Sequence, residues 1–408
     1  MAKIDILMSV YNCEQYINGT INSILNQTFT DFRVIVVDDG SSDRTGDICK
    51  RFVTKDRRVE YYHQDNAGIV AALNHGLQYC SAPFIARHDG DDISYPDRFE
   101  KELTYLEANP DCVAVSSVAR HIDENGIPCG TISTRKDISA ADCWSIPAAE
   151  PYLLQPMLMM RRTALDTAGG YRNLSVAEDA DLMWRLNRIG SMHILPESLG
   201  DYRVHAGSVS SRSIVKGRFL AIWSQLAALS EQRRISKLPD IVFSNLLLQR
   251  INTSISLKEM IDAVREQLTD SEFFWLHSAV SAKLLEFCYY RPYEPDKSDI
   301  QFILTAVHTD RNISERPGYE FFKEAMLSAA IRSMQDFRIK DALSLTPFKQ
   351  WPVLFGRIAF RTLIPKSTKK DIIKIFSFLS ENSNTFKRFA NSVKPSPYSD
   401  MKSPINQS

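Results

Sequence analysis

Through the first half of this chain, short apolar runs alternate with segments of helical spacing, and that alternation limits the fold more than any other feature. Ile4 to Val10 is apolar and β-prone, and from Glu14 onward Ile17, Ile21 and Ile24 recur at helical spacing. Phe32 to Val37 is the clearest buried strand, followed by a helix with Thr45, Ile48, Cys49 and Phe52 on one face. Val59 to His63 predicts a third strand, Gly68 to Tyr79 a third helix, and Phe84 to Arg87 a fourth strand. Strands separated by helices of this length predict an α/β fold, a parallel, doubly wound sheet with right-handed crossovers. After Pro96 a helix with Phe99, Leu103 and Leu106 on its buried face ends at Asn109-Pro110; Val113 to Val118 and Met157 to Arg161 predict further strands. From about Ser213 the alternation stops. Phe219/Trp223/Leu226, Leu257/Ile261/Val264/Leu268 and Phe273/Leu276/Val280/Leu284 are helical periods. The expected division is therefore an α/β domain over 1–212, an all-helical region over 213–390, and a polar, disordered tail over 391–408.

Open α/β sheets bind ligands at the C-terminal ends of their strands. Directly after Phe84-Ile85-Ala86 the chain places His88-Asp89-Gly90-Asp91-Asp92. Carboxylates packed this closely repel unless a cation or hydrogen-bond donors neutralise them, and their oxygens suit Mg2+ or Mn2+. A solvated Asp-Gly turn is the alternative. Asp38 and Asp39 close the second strand at the same edge, placed either to accept from a base or ribose, or, as Asp39 or Ser42 could, to cap the following helix. Ser9-Val10-Tyr11-Asn12 ends the first strand there, ahead of a helix N-terminus that favours anions. Neither GxGxxG nor GxxxxGK[ST] occurs, which disfavours dinucleotide-binding and P-loop classes. Glu178-Asp179-Ala180-Asp181 opens a helix. Ser175-Val176-Ala177-Glu178 has the form of a capping box, and Asp179 and Asp181, two apart, cannot both face one site. His205 follows a predicted strand late in the sheet region. It is read as either a surface residue or a neutral imidazole completing a carboxylate metal site.

Zero formal net charge over 408 residues gives no field that would favour nucleic acid. The seven cysteines are scattered without metal-ligand spacing, as expected of reduced thiols. Met1 to Asp5 enters a strand at once, so no signal peptide is expected, and no apolar run is long enough to span a bilayer.

Several of these pieces occur in a familiar order. Ser9-Val10-Tyr11-Asn12-Cys13-Glu14, Ser23 to Thr28, Val36-Val37-Asp38-Asp39-Gly40-Ser41-Ser42-Asp43, Asn66-Ala67-Gly68 through Gly76, and Ala86-Arg87-His88-Asp89-Gly90-Asp91-Asp92 resemble glycosyltransferase family 2. So do Gly169-Gly170-Tyr171, Glu178-Asp179 and Tyr202-Arg203-Val204-His205. The resemblance covers roughly the first half. It implies a GT-A fold with a mixed sheet, and inverting transfer from a nucleotide-activated sugar, UDP being the commonest nucleotide, to an acceptor hydroxyl. Asp38 and Asp39 would contact the nucleoside, with Ser9, Tyr11, Asn66, Gly68, Asp89 and Glu178 also lining the nucleotide-sugar site. Asp89 and Asp91 would form the DxD motif, with Asp91 and His205 at a Mn2+ or Mg2+ ion, and Asp179 would be the catalytic base. Arg87 or Arg161 would supplement phosphate or sugar binding, a surface role being the equal alternative for either. Leu73 stands where an Arg is frequent and Gln155 where a His is frequent, two departures that bear on sugar specificity.

Relatives of this kind build bacterial surface polysaccharides such as O-antigen and capsule on lipid-linked acceptors. The expected location is cytoplasmic, with peripheral attachment to the inner face of the membrane. Trp351 to Arg361, leading to Lys366, Lys369 and Lys370, interleaves basic and large apolar residues, as in a surface-lying helix or a packed amphipathic one. A non-catalytic assembly or docking protein is one alternative. A sugar nucleotidyltransferase is the other, though Tyr11-Asn12-Cys13-Glu14 stands where that class carries a Gly-rich, Arg-containing loop.

Overall fold

Ile4, Ile6, Met8 and Val10 alternate with Leu7 along the first strand, and both sets are buried. That requires cover on both faces of the sheet, and a computed structural model of the chain shows how it is supplied. The structure describes residues 2–133, 137–205, 213–290 and 294–363. The tail expected over 391–408, the boundary expected at 212, and Lys366, Lys369 and Lys370 lie outside the described residues.

In chain order the elements of the first half are β1 (Ile4–Val10), α1 (Ile17–Leu25), β2 (Phe32–Asp39), α2 (Thr45–Lys55), β3 (Val59–Gln64), α3 (Ile69–Leu77), β4 (Phe84–Asp89), β5 (Ile93–Ser94), α4 (Arg98–Ala108), β6 (Cys112–Ile122), β7 (Pro128–Ile132), β8 (Met159–Arg161), α5 (Arg162–Ala168), α6 (Glu178–Asn187) and β9 (Ser191–Arg203). The sheet runs β3-β2-β1-β4-β8-β6-β9-β5, with β7 on β6. Its first four strands are parallel, whereas β8 pairs antiparallel with both β4 and β6, so the sheet is mixed. On one face α1, α2 and α4 bring Ile17, Ile21, Ile24, Ile48, Phe52, Phe99 and Leu103 against Ile4, Ile6, Val34, Val36 and Ala86. On the other, α3, α5 and α6 cover Leu7, Ile35 and Ile85 with Val70, Leu73, Leu165, Leu182 and Leu186. Two-sided cover is why these strands read as continuous apolar runs. Packing is close enough that a Cβ at Gly76 on α3 would run into Leu7, and would lie 2.9 Å from Val37 Cγ2.

Asp5 is the polar exception inside β1. Fully buried, its carboxylate accepts from Arg33 Nε at 2.9 Å and from the amides of Ser81 and Ala82 at 2.5 and 2.7 Å. Those amides precede β4, so the ion pair sets where β4 begins beside β1, and satisfying it is what makes a buried carboxylate tolerable.

Only the start of β9 carries an obvious strand pattern. Pro196 and the polar Glu197-Ser198 interrupt it, yet it runs thirteen residues parallel to β6 with several register shifts. Neighbours on β6 absorb the irregularity as bulges. Its last residues pair with β5, Ile93 opposite Asp201 and Ser94 opposite Gly200.

The helices that follow are α7 (Ile214–Ile235), α8 (Asn245–Thr253), α9 (Leu257–Val264), α10 (Asp270–Tyr290), α11 (Lys297–Thr309), α12 (Tyr319–Gln335), α13 (Ile339–Leu345) and α14 (Trp351–Leu363). The chain forms two compact units. One comprises residues 1–143, 149–211 and 226–252, and so holds the sheet together with the second half of α7 and nearly all of α8. The other comprises, among the described residues, 144–148, 213–225, 253–290 and 294–363. Within the second unit a buried pair, Arg218 Nε to Asp299 Oδ1 at 2.8 Å, ties α7 to α11, and Ser256 and Asp296 open α9 and α11 with capping boxes. On α14, Leu354 is buried and Arg357 reaches Glu324 at 2.8 Å, leaving Val353 and Phe355 about half exposed. Among the described residues no helix is long and apolar enough to cross a membrane. The seven cysteines carry free thiols.

Candidate active site

Register brings the acidic strand ends together. Ser9 on β1 pairs with Val37 on β2 and with Asp89 on β4, and Val10 pairs with Asp38. The turn after β1 is joined to the turn after β2: Asn12 N–H donates to Ser41 Oγ at 3.0 Å, Ser42 N–H to Asn12 Oδ1 at 2.8 Å, and Arg44 N–H to Glu14 Oε2 at 2.9 Å. Tyr11, 53% exposed, stands outside this lacing.

Asp38 is buried; its Oδ1 accepts from Ser41 N–H at 2.9 Å and its Oδ2 from the Tyr61 hydroxyl at 2.7 Å. Asp39 Oδ1 accepts from Gln64 Nε2 and the Ala67 amide, and its Oδ2 from the Gly68 amide at 2.9 Å. The capping role weighed for Asp39 or Ser42 at α2 is therefore corrected. Asp43 Oδ1 takes the Thr45 amide, and Asp39 serves the amides leading into α3 instead. Gly68 has φ 88°, ψ 164°, a region open essentially to glycine. Asn66 Nδ2 donates to Asp39 O at 2.9 Å, closing the same turn.

At the end of β4 the roles separate. His88 is fully buried, held by Asp89 O on Nδ1 at 2.7 Å and Ser94 Oγ on Nε2 at 2.9 Å; burial pushes its pKa down to about 3, so it is neutral. Arg87 is also fully buried. Its guanidinium donates to Leu7 O at 2.7 Å and to Asp89 Oδ1 at 2.9 Å. It has no exposed surface with which to touch phosphate or sugar directly, and that expectation is corrected: it braces Asp89. Arg161, the other candidate, donates to Cys112 O and Leu106 O. Burial holds Asp89 above the usual carboxylate range, and Asp91 adds to this against the pull of Arg87. Asp91 Oδ2 meets His205 Nε2 at 2.9 Å. Asp92 is 1% exposed; its Oδ1 accepts the Arg203 amide at 2.7 Å and its backbone carbonyl the Thr20 hydroxyl at 2.9 Å.

The capping box read in Ser175 to Glu178 does not form. The residue preceding α6 is Ala177, in a left-handed conformation at φ 60°, and among the described residues Ser175 Oγ is buried with no hydrogen-bond partner. Glu178 is instead buried beside Asp179, and desolvation followed by that neighbouring charge pushes its pKa up to about 8. Asp179 is half-buried and accepts the Ala180 amide at 2.7 Å; burial, with Glu150 and Asp89 adding to it, raises its pKa to about 6. Asp181 is fully buried, paired with Arg185 at 2.6 Å and Arg172 at 3.1 Å, and so serves structure.

Sequence reasoning missed Glu150, whose charge helps raise the Asp179 pKa, and Tyr152, whose hydroxyl is held above its usual range by burial and then by the Asp179 charge. Glu150 and Tyr152 fall in a stretch without periodicity ahead of Gln155-Pro156, which offers no pattern to find them by. Tyr171 was visible in Gly169-Gly170-Tyr171. Gln155 Nε2 donates to its hydroxyl at 3.3 Å.

Among the described residues no three His, Cys, Asp or Glu side chains already converge as a metal cluster. The Asp91–His205 pair nevertheless brings a carboxylate and an imidazole nitrogen to one point, with Asp89 two residues away. That donor set fits a divalent cation.

A family model described as "Glycosyl transferase family 2" matches residues 5–167. An uncharacterized glycosyltransferase of Haemophilus influenzae is 32% identical over 221 residues, covering 51% of this chain and 67% of its own length. The O-antigen biosynthesis glycosyltransferase WbnJ of Escherichia coli is 30% identical over 218 residues, covering 52% of this chain and 83% of its own. The chain belongs to glycosyltransferase family 2, a family of sugar-transferring enzymes, and its mixed doubly wound sheet followed by helices is the GT-A architecture. Among solved structures, S. aureus TarS 1-349 in complex with UDP-GlcNAc aligns with a TM-score of 0.45 at 18% identity, over 72% of this chain and 94% of that one.

Proposed function

We propose that the protein is an inverting, divalent-cation-dependent transferase that moves a sugar from a UDP-sugar to a saccharide hydroxyl, in bacterial surface polysaccharide assembly. The observation carrying this reading is the convergence at one sheet edge of Asp38, Asp39, Asp89 and the Asp91–His205 pair, with Asp89 acting electrostatically on Asp179. The O-antigen role in the name of the similar WbnJ supports the polysaccharide setting.

In this reading Tyr11, Ser9, Asp38, Asp39, Asn66 and Gly68 form the nucleoside end, and Asp89 with Glu178 lines the sugar end. Asp91 and His205, with Asp89, would hold the Mn2+ or Mg2+. Such an ion, when bound, stabilises negative charge growing on a diphosphate. The acceptor hydroxyl attacks the anomeric carbon from the face opposite the diphosphate. A new C–O bond forms as the bond to the diphosphate oxygen breaks, and that oxygen leaves with the electron pair. Asp179 takes the hydroxyl proton, and Glu178, with its pKa near 8, stays protonated at neutral pH and does not compete as a base.

A thermal-shift screen of nucleotide-sugars with Mn2+ tests the whole reading, because only a native-state ligand raises the midpoint. A UDP-sugar is expected to raise it and to be slowly hydrolysed; no shift and no hydrolysis with any nucleotide-sugar would overturn the assignment. Peripheral membrane attachment through α14 is part of the proposal, supported by the exposed Phe348 and the half-exposed Val353 and Phe355. Intact protein should therefore pellet with anionic vesicles, and a chain that stays in the supernatant disposes of this part.

A further inference from the structure

His205 is useful to a metal only if it arrives opposite Asp91, a residue 114 positions earlier in the chain. We propose that Arg203 and Asp92 are positioning residues that clasp the end of β9 to the Asp89-to-Asp92 turn and thereby set His205 against Asp91. The inference rests on reading Asp91 and His205 as metal ligands.

The clasp has several independent contacts. Arg203 N–H donates to Asp92 Oδ1 at 2.7 Å, so the fourth residue of the acidic turn holds the backbone of β9. Arg203 Nε returns to Asp91 O at 2.8 Å, and Nη1 reaches Asp123 O at 2.9 Å in the turn between β6 and β7. One planar fork thus bonds two turns that are far apart in sequence, a geometry a lysine cannot reproduce. The guanidinium also lies over the Tyr16 ring, 4.5 Å from its centroid, and the same ring meets the His205 imidazole at 5.3 Å between centroids. The intervening Val204 amide donates to Ile122 O at 2.8 Å. From the far side, the Thr20 hydroxyl bonds both Gly90 O and Asp92 O. The strand register agrees: β5, which follows Asp92 directly, pairs with Gly200 and Asp201 just ahead of Arg203. Both residues are withdrawn from ligand, Asp92 at 1% and Arg203 at 8% exposure. Their effect on the site therefore runs through the two ligands they hold. Supporting contacts of this kind ordinarily contribute about 10–100-fold to metal affinity.

Mn2+ binding to the full chain, followed by the electron paramagnetic resonance of free Mn2+ with and without UDP, reads this apart from activity. Circular dichroism melts report folding in parallel. Asp92→Ala and Arg203→Ala should each weaken Mn2+ binding by about tenfold or more in folded protein. Asp92→Asn keeps an oxygen acceptor for the Arg203 amide and should bind within about threefold of wild type, a rescue not expected if the charge were itself a ligand. Should Arg203→Ala not fold, Arg203→Lys keeps the charge but loses the fork and carries the same expectation. If Asp91→Ala abolishes Mn2+ binding while Asp92→Ala and the Arg203 variants bind as wild type does, the clasp alone is overturned. If Asp91→Ala binds as well as wild type, or wild type does not bind Mn2+, the metal reading fails and the clasp falls with it.

Discussion

Asp179→Asn should lower sugar transfer by about 10^2–10^4-fold, the ordinary contribution of a positioned general base, while donor binding in the presence of Mn2+ changes by less than about threefold. The substitution is nearly isosteric, and an asparagine oxygen can still accept the Ala180 amide that Asp179 holds at 2.7 Å. The start of α6 should therefore keep its shape, and the loss would report chemistry. Proton uptake by the carboxylate adds a second signature. Burial, with Glu150 and Asp89 adding to it, raises the Asp179 pKa to about 6, and only the ionised form can accept a proton. The wild-type rate should accordingly fall about tenfold per unit as pH drops below 6. The residual rate of the asparagine variant should lack that limb. Steady-state release of nucleoside diphosphate across pH measures both. A loss of donor affinity matching the loss of rate would sink the base assignment.

Asp91→Ala should abolish the Mn2+-dependent part of nucleotide binding. In wild type, Asp91 Oδ2 and His205 Nε2 stand 2.9 Å apart, and truncation leaves the imidazole without its carboxylate partner there. A ligand at a hundred times its Kd stabilises the native state by about 2.7 kcal/mol, so the wild-type melting midpoint should rise clearly when Mn2+ is added with a bound nucleotide. The alanine variant should show almost none of that increment, while any metal-independent shift from the nucleotide contacts proposed for Asp39 and Tyr11 persists. Removing the repulsion among Asp89, Asp91 and Asp92 should leave the metal-free protein no less stable. An unchanged Mn2+ increment contradicts the metal role of Asp91.

Much of the framework was legible because burial writes itself into hydrophobic period. β1, β2 and β4 read as apolar runs because helices cover both of their faces, and α1, α2 and α4 show their core stripes directly. The acidic strand ends were legible for the same reason, since a parallel sheet must deliver Asp38, Asp39 and Asp89 to one edge. Local capping was less dependable. The Ser175-to-Glu178 form predicted a capping box, but Ala177 in a left-handed conformation turns the chain so that Glu178 is buried beside Asp179. A four-residue pattern cannot report such a turn, because a cap contributes only about 1 kcal/mol and the packing of the surrounding chain outweighs it.

Period and composition were thus sufficient for the α/β class, the described helices that follow it, and the edge at which the chemistry gathers. Pairings across long sequence separations were not. That Asp39 serves the amides ahead of α3, that Arg87 is buried as a brace for Asp89, and that irregular β9 carries Arg203 to Asp92 and His205 to Asp91 are all results of strand order and register. Hydrophobic period records only which side of an element is buried. The partner that a buried donor or carboxylate finds depends on which distant backbone the fold brings within hydrogen-bond reach, and only the assembled sheet supplies that.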